Sequence, residues 1–215
     1  MGRRNFLKQA TLAGAATLAP SLVQAGASEP EPQPLVNPAK PMPDTVTADE
    51  VKTLLKLEPN ATCGFVRETY LSKLSIAPGG LPAPFADGRP LGSALYFMMS
   101  PAAPVKLHRI KNHQLYHHYL GDPIELLMLH DDGTHTLKIV GADLRAGQRV
   151  QLFIPGNTFH TAHIIGQRRW FLGASTEWPG VVPTEDVELG DAEALAAKHP
   201  DVAEQIRSFP LAATQ

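Results

Sequence analysis

Two histidines and a glutamine stand at a spacing that can do chemistry. His108, Gln114 and Gly121 follow the pattern H-x5-Q-x6-G, and Gly147, Pro155 and His160 follow G-x7-P-x4-H. Two antiparallel segments far apart in sequence would carry such a set into one mouth of a small β-barrel. An imidazole that titrates near neutral pH is matched to proton abstraction. His108 is therefore a candidate general base if its free nitrogen faces the pocket, with Tyr96 or Tyr116 as the acid. His, Gln and Tyr beside an apolar wall equally suit a pocket that holds a sugar or a small acid without transforming it.

Positioning such a site requires strands. Short apolar or alternating runs span 65–72, 94–99, 105–110, 115–120, 124–130, 134–140, 149–154, 158–165 and 169–174. Gly121-Asp122, Asp131-Asp132-Gly133 and Ala146-Gly147 punctuate them. About ten residues per strand predicts an all-β sandwich or jelly-roll barrel. Short helices are expected at both ends. Thr47-Ala48-Asp49-Glu50 forms a capping box ahead of Val51, Leu54 and Leu55, with the helix ending before Pro59. Near the C-terminus Leu195, Val202 and Ile206 keep helical spacing, and Pro200 breaks it into two turns or a kinked helix.

The N-terminus reads as an address. Arg3-Arg4-Asn5-Phe6-Leu7-Lys8 precedes a modestly apolar run, Ala10 to Val23, and a small-residue cleavage site at Ala25. The expectation is a twin-arginine signal peptide over 1–25, a periplasmic or secreted protein, and passage through folded-protein export machinery. Gly14 and Pro20 break a run already too short for a stable membrane anchor. Six prolines between 30 and 43 predict an extended Pro-rich linker over 26–44. The folded domain is then 45–210. Loss of Arg3, Arg4 and Lys8 takes the formal charge from −2 to −5. A mildly acidic chain without a basic cluster argues against a nucleic-acid partner. The single Cys63 has no internal disulfide partner and is read as a small buried hydrophobe.

The motif order resembles the cupin superfamily. The closest similarity is to its DUF985 subfamily, through Gly64-Phe65-Val66-Arg67-Glu68-Thr69-Tyr70, Ser93-Ala94-Leu95-Tyr96-Phe97, His108-Arg109, Tyr116-His117, Gly121-Asp122-Pro123-Ile124-Glu125-Leu126, Gln151 and Pro155. The tail from Val187 to Phe209 is similar too, so the likeness covers about 46–209. It implies a double-stranded β-helix barrel, commonly a homodimer. It also implies ligand-binding positions at Arg67, Glu68, Gln114, His117, Gln151 and His160. In the wider superfamily full sites give a divalent metal three imidazoles and a carboxylate, a set that suits manganese, iron, nickel or zinc. On that pattern His108, Gln114 and His160 are the metal-ligand positions. Ile110 stands at the second His position and Gln114 at the Glu position, and His118 offers a third imidazole. Strand alternation groups Gln114, Tyr116 and His118 on one face, whereas His117 is the residue that matches the family, and one bulge would invert the parity. Three readings stay open: a metal-dependent enzyme, a metal-free sugar isomerase or epimerase, and a non-catalytic binding module for a small molecule.

Other groups read more plainly. Arg67 and Glu68 are neighbours on a strand and face opposite ways. His113, His130, His135, His163 and His199 are expected on the surface or in turns. Trp170 and Phe171 are expected to pack the core or an interface.

Overall fold

The computed structural model describes residues 46–167 and 169–211. The expected signal peptide and Pro-rich linker lie outside the described residues. Helix α1 (Ala48–Leu55) is followed by β1 (Glu58–Pro59), β2 (Phe65–Leu71), β3 (Ser75–Ile76), β4 (Arg89–Pro90), β5 (Ser93–Met99), β6 (Val105–Ile110) and β7 (His113–Gly121). Then come β8 (Ile124–Leu129), β9 (His135–Val140), β10 (Gln151–Ile154), β11 (Phe159–Ile164) and β12 (Phe171–Trp178). The chain ends with α2 (Pro183–Asp186), β13 (Val187–Leu189), α3 (Ala192–Lys198), a 3-10 turn at Pro200–Val202 and α4 (Ala203–Ser208).

The strands form two antiparallel sheets and a small hairpin. One sheet runs β1-β2-β5-β12-β7-β10 and the other β13-β6-β11-β8-β9, while β3 pairs with β4. Between the sheets lies the barrel core, with Phe97, Met99, Tyr116, Leu126, Met128 and Phe171 all buried. Fully burying side chains of this size stabilises by about 1.5–3 kcal/mol each. Alternation explains why β8 reads as an almost unbroken apolar run. Leu126 and Met128 point into the barrel, whereas Leu127 and Leu129 point outward to Ala196, Val202, Ile206 and Phe209 of the C-terminal segments. On the outer face of the six-stranded sheet, Val51 and Leu57 pack with Met98, Trp170 and Leu172.

Local chemistry sets the ends of these elements. Thr47 and Glu50 form the expected capping box: the Thr47 hydroxyl accepts from the Glu50 N–H at 3.3 Å, and the Glu50 carboxylate accepts from the Thr47 N–H at 2.8 Å. The turn at Asp131-Asp132-Gly133 closes the β8–β9 hairpin, with Gly133 at φ 86°. Three bulges interrupt the ladders, between Glu68 and Tyr70, between Leu172 and Gly173, and between His160 and Ala162.

Two expectations are corrected. The strand read as ending at Ala174 runs on to Trp178, because Ser175 and Glu177 continue the inward alternation with polar side chains. His199 is not a surface residue. It is buried, and its Nδ1 bonds the Gly133 carbonyl at 3.0 Å, tying the C-terminal segment to the hairpin turn.

Candidate functional site

One wall of the barrel mouth is made of imidazole. His108 on β6 and His160 on β11 are register partners in the five-stranded sheet, and their ring centroids lie 4.3 Å apart. Each Nδ1 faces a carbonyl two residues back along its own strand, Lys106 O at 2.8 Å and Thr158 O at 3.1 Å. A carbonyl only accepts, so in each neutral ring Nδ1 carries the hydrogen and Nε2 keeps a lone pair. Burial holds both rings neutral. It pushes His108 down to about 4 and His160 well below its ordinary value, with His108 itself the next cause for His160.

The second wall belongs to the six-stranded sheet. Glu177 on β12 is paired in register with Ser93 on β5 and with Gln114 on β7. All three point inward. The Ser93 hydroxyl accepts from the Val181 N–H at 3.1 Å and donates to Glu177 Oε2 at 2.5 Å. Glu177 is 3 % exposed, and burial raises its carboxyl above the usual range. The Ser175 hydroxyl donates to Gln114 Oε1 at 3.2 Å, and Gln114 Nε2 lies 3.5 Å from His160 Nε2. The Tyr116 hydroxyl donates to that same His160 Nε2 at 3.1 Å. Gln114 and Tyr116 thus connect the two walls at His160.

Between the walls is a cavity of about 120 Å³. Cys63 closes one side, its Sγ 3.9 Å from His108 Nε2 and 3.4 Å from Thr62 Oγ1. Gly64 holds Cys63 there: it adopts φ 64°, and a Cβ at that position would collide with the Met98 carbonyl. Burial pushes up both the Cys63 thiol and the Tyr116 hydroxyl. Val181, Pro183 and Val187 cover the mouth, and the exposed Glu68 stands at its rim.

The structure brings together His108, Gln114, Tyr116 and His160, with Glu68 beside them. It places the other candidates elsewhere. Tyr96 lies on the outer face of its sheet, against the α1 cluster and edge-on to Tyr119 at 6.1 Å. Arg67, also on that face, donates to the Leu55 carbonyl at 3.2 Å. His117 and Gln151 form an outer pair at 3.4 Å, and His117 Nε2 meets Thr176 Oγ1 at 3.0 Å. The reason is parity: with Gln114 and Tyr116 inward, His117 must point out. His118 keeps the inward side but packs edge-on to Phe171, 5.6 Å between centroids. Four residues of strand separate it from Gln114, about 13 Å at ~3.3 Å per residue, so it does not supply the missing imidazole. Glu177, Cys63, Ser93 and Ser175 are the site residues that sequence reasoning missed.

These donors do not fit a four-donor divalent metal centre. Ile110 lines the cavity where a second imidazole would stand. Gln114 offers an uncharged amide already engaged by Ser175, and the Tyr116 hydroxyl occupies the lone pair of His160. Among the described residues no three His, Cys, Asp or Glu side chains group to hold a metal ion.

Comparison with known proteins agrees with the architecture. An X-ray structure of a Shewanella oneidensis protein is 24 % identical, covers 79 % of this chain and 100 % of its own, and has a TM-score of 0.67. A hypothetical protein from Leishmania major is 21 % identical over 76 % of this chain and 98 % of its own, also with a TM-score of 0.67. No curated protein matches the chain. The family described as Cupin superfamily (DUF985) matches residues 49–189. With two antiparallel sheets wrapped around the core and both motif histidines in register at one mouth, the chain belongs to the cupin superfamily, in its DUF985 family.

Proposed function

We propose that this protein holds a small, uncharged, hydrogen-bonding molecule in the barrel pocket and does so without a metal ion. The observation that carries this reading is the orientation of the two imidazoles. Both Nδ1 hydrogens are spent on backbone carbonyls; His160 Nε2 then accepts from the Tyr116 hydroxyl, and His108 turns its acceptor nitrogen to a cavity in which burial favours the neutral forms of the Glu177 carboxyl and the Cys63 thiol. A carboxylate ligand would lose its hydration with no Lys or Arg among the lining residues to compensate. This favours the uncharged member of the pair sugar or small acid. Size narrows it further. A cavity of about 150 Å³ takes benzene, so the 120 Å³ here takes a ligand end of about five or six heavy atoms. That is a three-carbon polyol or hydroxy-carbonyl compound, or the end of a larger one.

The test is ligand titration followed by NMR or thermal shift, with glycerol, glycolaldehyde and dihydroxyacetone against lactate and acetate. Saturable binding of the uncharged set, lost in His108→Ala, is the expected result. Metal analysis belongs beside it. Retention of about one manganese, iron, nickel or zinc ion per chain after equilibration and desalting would overturn the metal-free reading.

A further inference from the structure

The cavity has an acceptor on one wall and an acid on the other, and they differ in how free they are. His160 Nε2 is already taken by the Tyr116 hydroxyl. His108 Nε2 has only the Cys63 sulfur near it, at 3.9 Å. On the facing wall the Ser93 hydroxyl accepts from the Val181 N–H and donates its hydrogen to Glu177 Oε2. With Oε2 accepting from Ser93, the position open to a proton on this carboxyl is Oε1. Both His108 and Glu177 line the cavity and both are at least nine-tenths buried.

We propose that His108 and Glu177 act as base and acid on a small α-hydroxy-carbonyl compound, interconverting its ketone and aldehyde forms through an enediol. This rests on the reading that the cavity holds a small uncharged molecule without metal. In the first half-reaction a C–H bond next to the carbonyl breaks and its proton passes to His108 Nε2. The electron pair becomes the carbon–carbon double bond, and the carbonyl oxygen takes the proton of Glu177 Oε1. In the second half the other enediol hydroxyl returns a proton to Glu177, and the His108 N–H delivers its proton to the former carbonyl carbon. Atoms and electrons balance without an oxidant or reductant. Burial favours the neutral form of both, lowering His108 to about 4 and raising the Glu177 carboxyl. During turnover the imidazolium and the carboxylate face each other across the cavity, where opposite charges support one another.

The experiment incubates the full chain with dihydroxyacetone in heavy water and follows deuterium at carbon and the appearance of glyceraldehyde by NMR. Exchange well above a protein-free control is expected. General acid–base groups contribute about 100-fold or more, so His108→Gln and Glu177→Gln should each lower exchange by at least ~100-fold, with Glu177→Gln binding dihydroxyacetone within about threefold of wild type. Ser93→Ala is the second variant: it keeps the carboxyl but frees its orientation, lowering exchange about tenfold and moving the acidic limb of the pH–rate profile. Dihydroxyacetone binding without exchange, or exchange that survives in either Gln variant, would overturn this inference and leave the binding reading intact. Absence of binding would overturn both.

Discussion

At the scale of single residues, the buried imidazoles make stability depend on pH. His108 falls from 6.5 to about 4 on folding, so the unfolded chain takes up the proton first on acidification. Its contribution is complete above about 6.5 and is lost as pH falls toward 4, to the extent of about 3 kcal/mol. His160 shifts the same way and steepens the loss. Urea titrations across that range should show it, and His108→Gln should flatten it. Glu177 has the opposite sign. Its carboxyl is raised on folding from 4.5, so its contribution is present at low pH and declines as pH rises through the raised value. Glu177→Gln should therefore stabilise the protein near pH 8 more than near pH 5, the pattern of a residue kept at a cost in stability. His108, Gln114 and His160 were legible because their spacing fixed them on segments that must meet. Glu177 was hidden because it lies beyond the apolar run ending at Ala174, where a single carboxylate carries no spacing to the two histidines. Tyr96, His117, Arg67 and Gln151 carried the family likeness, yet strand parity sends them to the opposite face.

At the scale of elements, the segment over the pocket is held by one buried ion pair. Arg89 of β4 is forked onto Asp186 of α2, with Nη2–Oδ1 at 2.9 Å and Nε–Oδ2 at 3.2 Å. Asp186 Oδ2 also accepts from the Val182 N–H at 2.8 Å, so the clamp fixes the stretch whose Val181, Pro183 and Val187 cover the cavity. Without Arg89 the buried Asp186 keeps only Lys111, 4.0 Å away, to balance its charge. Arg89→Ala should cost about 3–5 kcal/mol in denaturant unfolding and weaken ligand binding more than Arg89→Lys, which retains charge but not the fork. The clamp was not visible in the sequence, since 97 residues separate its members. Most strands were, because their alternation and turn residues act locally. The exceptions are the two- and three-residue strands β1, β3, β4 and β13, too short to show a period.

At the scale of the whole molecule, the outer face of the six-stranded sheet remains apolar beyond the reach of α1. Tyr119, Phe153 and Trp178 are about half exposed there, at 48 %, 51 % and 53 %. We propose that a second copy of the chain covers this face, as the family likeness implies. Light scattering at micromolar concentration should report a dimer, and Phe153→Asp combined with Tyr119→Asp should report a monomer of unchanged fold. A monomer in the parent chain would remove the proposal.

The half-buried side chain of Cys63 gives the molecule one more property. It is the only sulfhydryl in 215 residues, and it lies in the pocket wall beside His108. A thiol reagent therefore has a single target, half covered by the residues around the cavity and reached faster when the cover over it swings away. The protein carries its own clock for the breathing of the barrel mouth: slow alkylation times the closed state, and any ligand that seats against His108 must slow it further.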